Sequence, residues 1–163
     1  MRLGFRIKHY FFSAFRELFV HHHGSLEFRA KIFALIIASN PEATVEAYII
    51  VKNVAMDVYK ADEERANLLM ITVKELVQKV QEDNGLTFDT LIEHIQKELK
   101  IIPRYAKKID IEALKPLVKL SYDIDIISYQ ENIIEFLKNL KDETLQSKKK
   151  QIAKDEENLD SKY

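Results

Sequence analysis

The sequence has no cysteine and only three glycines and three prolines in 163 residues. Without cysteine, disulfides, thiolate metal sites and cysteine nucleophiles are excluded, and the cytoplasm is the expected compartment. With so few glycines there is no Gly-rich phosphate loop, and the H-E-x-x-H and G-x-S-x-G motifs are also missing. The common enzyme templates are therefore not present, and we expect a protein that is not an enzyme.

An excess of charge of one sign is also missing. The chain has 25 basic and 26 acidic side chains, and a formal charge of −1 provides no net attraction to nucleic acid. No apolar run reaches the roughly 20 residues that a membrane-spanning helix needs, because Arg6, Lys8, Arg16 and Glu17 interrupt the apolar N-terminal stretch. We expect no nucleic-acid partner and no segment that crosses a bilayer.

Apolar side chains make up 47% of the sequence, and they recur at helical rather than strand spacing. This pattern predicts an all-α protein, a compact bundle of about seven helices around one core. The helix from Leu26 to Ala38 is apolar on all sides and is expected near the middle. We divide the chain into an amphipathic N-terminal helix (1–24), a helical core (25–142) and a charged tail (143–163), which is either a solvated helical extension or disordered.

Helix boundaries are predicted from polar caps, prolines and glycines. Helices are predicted to start at Asn40-Pro41, at the caps Asp62 and Thr87, again at Pro116, and last at Ser128, which has capping-box spacing to Glu131. Helices are predicted to end at Asn84-Gly85 and before Pro103.

The helix between Asp62 and Asn84 has the most regular apolar pattern. Five apolar residues recur three and four positions apart: Ala66, Leu69, Val73, Leu76 and Val80. Such spacing suits either a face packed into the core or the seam of a homodimer. Both interpretations stay open at the level of sequence.

The N-terminal helix combines basic and aromatic side chains. The residues that would form a membrane or partner face are Arg2, Arg6, Lys8, Phe12, Arg16 and Phe19. The favoured interpretation is that the phenylalanines pack into the core, as large apolar residues usually do. The alternative is a peripheral membrane adaptor, in which this helix lies on anionic lipid.

Two connections between helices look alike. One leads from the apolar helix through Asn40-Pro41 to a helix that carries Glu46, and the other leads through Asp123 and Asp125 to a helix that carries Glu131. Packed together, two such units could provide hard oxygen ligands for a divalent cation, calcium or magnesium. The favoured interpretation is that these side chains cap helices.

At these loops the sequence resembles the TerB-like family, named for tellurite resistance proteins and also found as the helical domain of DjlA-type J-domain co-chaperones. The resemblance covers roughly Leu26 to Leu140 and rests on the two helix-turn-helix units and their order. The family motif has an Asp-Gly pair in the turn, followed by a Glu on the next helix. In this chain Asn40-Pro41 stands in place of the first Asp-Gly pair, and isoleucine follows both Asp123 and Asp125.

The resemblance implies the helical fold and, through the family's acidic residues, a site for a divalent cation. The residues it implicates are Asp123, Asp125 and Glu131, and in second place Glu42 and Glu46. It also implies a non-enzymatic accessory domain that binds a protein partner in a bacterial stress or envelope-linked process. No His-Pro-Asp tripeptide is present, so the J-domain signature itself is missing.

Overall fold

The computed structural model describes residues 24–161, and this part of the chain consists of helices and short connections. Within residues 24–161, six α-helices and one 3₁₀ helix follow one another: α1 Gly24–Ala38, α2 Val45–Val58, α3 Glu63–Gln81, α4 Phe88–Ile101, the 3₁₀ helix Pro103–Lys108, α5 Ile111–Val118 and α6 Ile124–Asp160. The predicted all-α bundle is confirmed. The helix predicted before Gly24 lies outside the described residues.

Helix α1 is the centre of the bundle, as its sequence predicts. It contacts α3, α4, α5, α6 and the 3₁₀ helix. Its buried side chains lie on every side of the helix: Leu26, Phe28, Ala30, Ile32, Phe33, Ala34, Leu35, Ile36 and Ile37. A helix that is apolar all round can be stable only when other elements surround it, and its neighbours do so.

The regular apolar face of α3 is used inside the domain. Ala66, Leu69 and Val73 are fully buried, and Leu76 is nearly so. Helix α3 packs against both α1 and α2. The face that could have formed a dimer seam is therefore part of the domain's own core.

The predicted caps at the starts of α3 and α4 are confirmed. The side chain of Asp62 caps α3 by accepting a hydrogen bond from the backbone N–H of Arg65 at 3.1 Å. Thr87 caps α4 in the same way, with the N–H of Thr90 at 3.1 Å. Between the end of α3 and the start of α4 the chain turns through two left-handed residues, Asp83 at φ 50° and Gly85 at φ 80°. Aspartate and glycine tolerate this conformation better than most residues.

The predicted helix start at Asn40-Pro41 is wrong. Helix α2 begins at Val45, and Thr44 is its N-terminal flanking residue. The side chain of Asn40 instead accepts a hydrogen bond from the N–H of Glu42 at 3.0 Å. An asparagine side chain can close a local turn of this kind as well as cap a helix, and here it closes the turn.

The predicted restart at Pro116 is also wrong, because α5 runs through this residue from its cap at Asp110. A proline removes one backbone hydrogen bond, the one to the carbonyl four residues earlier, which belongs to Glu112. Glu112 and Pro116 are both exposed, so water can satisfy that carbonyl. The free-energy cost of the missing hydrogen bond is therefore small enough for this exposed helix of eight residues to include the proline.

The last helix begins at Ile124 rather than at Ser128. Asp123 is its cap, and its side-chain oxygen accepts from the N–H groups of Asp125 at 2.9 Å and Ile126 at 3.4 Å. Because Asp123 already starts the helix, Ser128 and Glu131 lie within it and form no capping box. Asp123, the earlier of the two capping residues, therefore sets the start of α6.

The charged tail is helical as far as Asp160. Helix α6 has 37 residues, its last buried side chain is Leu137, and every described residue from Lys149 onward is exposed. Side-chain contacts along the helix support it, such as the hydrogen bond of 3.0 Å from Gln151 Nε2 to Asp155 Oδ1. Of the two alternatives for the tail, the structure shows the solvated helical extension.

Candidate interaction surfaces

The two similar connections lie side by side in the folded domain. Asn40 and Thr44 of the α1–α2 connection line a cavity of about 20 Å³ together with Leu120 of the α5–α6 connection and Gln130 of α6. The packing of the two helix-turn-helix units therefore brings the loops together. A cavity of this size has room for about one water molecule.

The five acidic residues implicated in metal binding all have exposed positions at or near the starts of α2 and α6: Glu42, Glu46, Asp123, Asp125 and Glu131. Asp123 is engaged as the cap of α6. Hydrogen bonds from its own backbone amide and from the Thr44 side chain lower the pKa of Glu46. Within residues 24–161, no three histidine, aspartate or glutamate side chains are grouped closely enough to hold a metal ion.

Gln130 is a buried polar residue in this region that the sequence analysis missed. Its side chain is 2% exposed, and its Nε2 donates a hydrogen bond of 3.0 Å to the carbonyl of Ile36, near the end of α1. Its Oε1 is buried without a hydrogen-bond partner among the described residues. The sequence feature that could have revealed its burial is its place between Ile126 and Ile133, on the apolar face of the same helix. This hydrogen bond fixes the start of α6 to the end of α1.

Several large apolar side chains around the two loops are exposed to solvent. Tyr122 is 98% exposed, Ile124 78%, Val45 71% and Ile49 52%. Val45 and Ile49 are four residues apart on α2 and thus share a face. We call these four residues the loop patch. Large apolar side chains that stay exposed on adjoining segments are a feature of surfaces that bind other molecules.

A second feature is an open groove of about 530 Å³ between the C-terminal part of α4 and the outer part of α6. Its apolar lining comes from Leu99, Pro103, Leu140 and Ile152, and side chains of both charges, such as Glu143 and Lys148, border it. We call it the α4–α6 groove. Its volume lies in the range of ligand-binding pockets, but it is open along its length.

A group of basic residues lies near Tyr59 on another side of the domain. The guanidinium of Arg29 is 5.9 Å from the centre of the Tyr59 ring. Burial raises the pKa of Tyr59, against the opposing effects of Arg29 and Arg65. Burial, together with the positive charges of Arg29 and Arg104, lowers the pKa of Lys108. The nearby cavity, which Arg29 and Lys108 line, has only about 10 Å³, so it is too small for an organic ligand.

The predicted membrane or partner face, which comprises Arg2, Arg6, Lys8, Phe12, Arg16 and Phe19, lies outside the described residues. The described chain begins at Gly24, beside the 3₁₀ helix. A Cβ atom placed on Gly24 would lie 2.9 Å from the hydroxyl oxygen of Tyr105. Within residues 24–161, no helix has both the length and the apolar character needed to cross a membrane.

Comparison with family models, with curated proteins and with solved structures finds no match for this chain. The function must therefore be inferred from the geometry of these surfaces and from the residues that form them.

Proposed function

We propose that the protein is a non-enzymatic interaction domain that binds a partner protein through the loop patch. The observation that carries this proposal is the exposure of Tyr122, Ile124 and Val45 on two loops that pack side by side. Tyrosine is enriched among the residues that contribute most to protein interfaces, and a large apolar side chain gains most when a partner removes it from water.

The loop patch lies on a rigid support, which favours binding. Asp123 fixes the start of α6 by capping it, and Gln130 ties the same helix to α1 through a buried hydrogen bond. Residues that are already held in place lose less conformational freedom when a partner binds. Tyr122 directly precedes Asp123, so its position is tied to the capped helix.

The charges around the loop patch indicate the chemistry of the partner. Glu42 is exposed on the α1–α2 connection, and Glu46 and Asp125 are exposed in the first turns of α2 and α6. An apolar centre with an acidic rim complements a cleft that is apolar inside and bordered by lysine or arginine. We therefore propose a protein partner with a basic rim, in a bacterial stress or envelope-linked process, as the resemblance to TerB-like proteins implies.

We also propose that the carboxylates near the loop patch bind a divalent cation. Asp123, Asp125 and Glu131, followed by Glu42 and Glu46, are the oxygen ligands that calcium or magnesium would use. A cation at Asp123 would compete with the two backbone N–H groups that this side chain accepts from. Titration of the metal-stripped protein with calcium and magnesium, followed by the thermal midpoint, tests this role because a ligand of the folded state raises stability.

Site-specific photo-crosslinking tests the protein-binding proposal. A photoreactive amino acid is placed at position 122, and in a control protein it replaces Leu159, which is 60% exposed at the far end of α6. We expect a discrete crosslinked adduct from position 122 and none from position 159, and we expect Ile124→Ser to abolish it. Equal crosslinking from both positions, or an adduct that Ile124→Ser leaves unchanged, would contradict the proposal.

A further inference from the structure

We infer that the outer part of α6 is a homodimer contact, in which residues 145–160 of two copies pack antiparallel with Ile152 at the centre. This stretch ends a helix of 37 residues whose last buried side chain is Leu137, and from Lys149 to Asp160 every residue is exposed. A helix of about 12 residues is marginal in water when nothing packs against it. A second copy would supply the packing that the core of the domain does not supply.

Three apolar side chains form a line along this part of α6. Leu145, Ile152 and Leu159 are seven residues apart, and residues seven apart on an α-helix point within about 20° of one direction. Leu145 is partly buried against the core, whereas Ile152 is 49% exposed and Leu159 60%. We call these three residues the α6 stripe. Apolar residues that repeat every seven positions are typical of helices that pair.

Lysines and acidic residues flank the α6 stripe in a matching order. On one side Lys148 is followed seven residues later by Asp155, and on the other side Lys149 is followed by Glu156. On both sides the lysine precedes Ile152 by three or four residues, and the acid follows it by three or four. The α6 stripe and both charged flanks therefore share one centre, Ile152.

This common centre makes the surface complementary to itself. A two-fold homodimer uses the same surface on both copies, so that if one residue contacts a second, the second contacts the first. With Ile152 against Ile152 of the second copy, antiparallel helices place Leu145 level with Leu159. The two-fold axis also brings each charged flank against the same flank of the second copy. Each lysine then lies within one residue of level with an acid, and a parallel pair would instead place like charges together.

The order of charges is unfavourable within a single helix. Four acidic residues lie between positions 155 and 160, at the C-terminal end, where the helix dipole is also negative. Two pairs four residues apart have like charges, Lys150 with Lys154 and Glu156 with Asp160. Within residues 24–161, no ion pair involves a residue between 148 and 160. An antiparallel pair places the acidic end of each helix beside the lysines of the other.

The α4–α6 groove lies beside this contact. Lys148 and Ile152 both line the groove, whose charged lining consists of two lysines and one glutamate and is therefore net basic. Along α6 the groove extends from Leu140 to Ile152. In the antiparallel pair, residues 155–160 of the second copy are level with residues 144–149, within this extent. The acidic end of each α6 thus lies along the basic groove of the other copy.

The contact is small, so the dimer is expected to be weak. Residues 145–160 span about 22 Å at the rise of an α-helix, and exposed ion pairs each contribute little. We expect association only at high protein concentration, and less of it at high salt, which screens these charges. In the dilute samples used for photo-crosslinking, where position 159 is the control, the copies are separate.

Single cysteines test the antiparallel arrangement, because the chain contains none. In concentrated full-length protein under mild oxidation, Ile152→Cys should give a disulfide-linked dimer, since position 152 meets its own copy. Leu159→Cys is the matched control on a more exposed residue. Its two copies would be about 21 Å apart along the helices, whereas a disulfide requires Cα atoms within about 7 Å. Combining Leu145→Cys with Leu159→Cys should restore the crosslink.

Charge reversal tests the complementarity of the flanks. Lys149→Glu should raise the dissociation constant of the dimer several-fold in sedimentation equilibrium, because it changes two contacts in every dimer. Adding Glu156→Lys should lower the constant again. Lys154→Glu makes the same change in net charge on the opposite face of the helix and should leave the constant nearly unchanged.

Three results would overturn the inference. They are a monomeric mass at every concentration, equal disulfide formation from positions 152 and 159, and a dimer that Lys149→Glu weakens no more than Lys154→Glu does. Equal disulfide formation would indicate a parallel or non-specific contact. Circular dichroism of each variant checks that its helix content is kept. Because all these positions lie outside the loop patch, failure of the dimer would leave the proposed partner binding untouched.

Discussion

Gln130 connects α6 to the end of α1, so replacing its amide tests how far the fold depends on this buried contact. Its Nε2 donates to the carbonyl of Ile36 at 3.0 Å, and the side chain is 2% exposed. Gln130→Glu keeps the shape but places a carboxylate oxygen against that carbonyl. An ionised carboxyl buried without a partner is costly, and we expect the free energy of unfolding to fall by about 3 kcal/mol at pH 7.

The loss of stability caused by Gln130→Glu should grow as the pH rises. Burial raises the pKa of the introduced carboxyl in the folded protein above its unfolded value of about 4.3. Below that value both states are protonated, and the neutral acid can donate to the Ile36 carbonyl. As the pH rises through the folded-state pKa, stability is lost. The difference from the parent protein is therefore larger at pH 7 than at pH 5.

A matched variant separates burial of charge from loss of the hydrogen bond. Gln130→Met removes a hydrogen bond that contributes about 1 kcal/mol, but it also removes the unpartnered Oε1, whose burial costs about 1–3 kcal/mol. The Ile36 carbonyl keeps the Ser39 hydroxyl as a donor. We expect this variant to be as stable as the parent or more stable.

Urea unfolding of the parent and both variants at pH 5 and pH 7, followed by far-ultraviolet circular dichroism, gives the free energies of unfolding to be compared. A Gln130→Glu protein as stable as the parent at pH 7, or one with the same deficit at both pH values, would refute the reasoning. In either case the introduced carboxyl would not be ionised in a buried position.

Three further predictions concern single positions. Asp123→Ala removes the cap of α6 and should lower the free energy of unfolding, measured in urea, by about 1 kcal/mol. Asp123→Asn should keep most of that stability. A loss that appears only with added calcium or magnesium would instead identify Asp123 as a metal ligand. Gly85→Ala should cost about 1 kcal/mol from backbone strain alone, because φ is 80° and nothing lies within 4 Å of the added Cβ; an unchanged thermal midpoint would contradict this turn. Tyr59→Phe removes a buried hydroxyl without a hydrogen-bond partner among the described residues, so stability at neutral pH should stay equal or rise. Because burial raises the pKa of Tyr59, the parent loses stability as the pH rises from about 10 through the folded-state pKa, and unfolding curves should show a smaller alkaline loss for the variant, in which Tyr48 still titrates with a raised pKa.

The acidic residues show where prediction of the site from sequence stops. In the structure the two similar loops lie side by side, an arrangement that short connections between consecutive helices favour. The metal-ligand role of Asp123, Asp125 and Glu131 stays a prediction. The sequence could not show that the Asp123 side chain is engaged with backbone N–H groups, because a cap and a ligand require the same oxygen atoms.

Local signals were reliable where neighbouring residues alone decide the outcome. The caps at Asp62 and Thr87 act within three residues, and the apolar character of α1 requires burial wherever that helix lies. Asn40 and Ser128 failed as helix starts for a common reason. Each has the right side chain for a cap, but whether it closes a turn or lies inside a longer helix depends on the surrounding chain.

By itself, the sequence determined that this protein is an all-helical bundle with α1 at its centre, since apolar periodicity sets both helix formation and the face that must be buried. Only the tertiary structure decided that Gln130 is buried and which apolar residues stay exposed. The partner of Gln130 is a carbonyl 94 residues earlier in the chain. Tyr122 and Ile124 are exposed because no other described element covers the loops, and a residue's neighbours in sequence do not determine which elements pack over it.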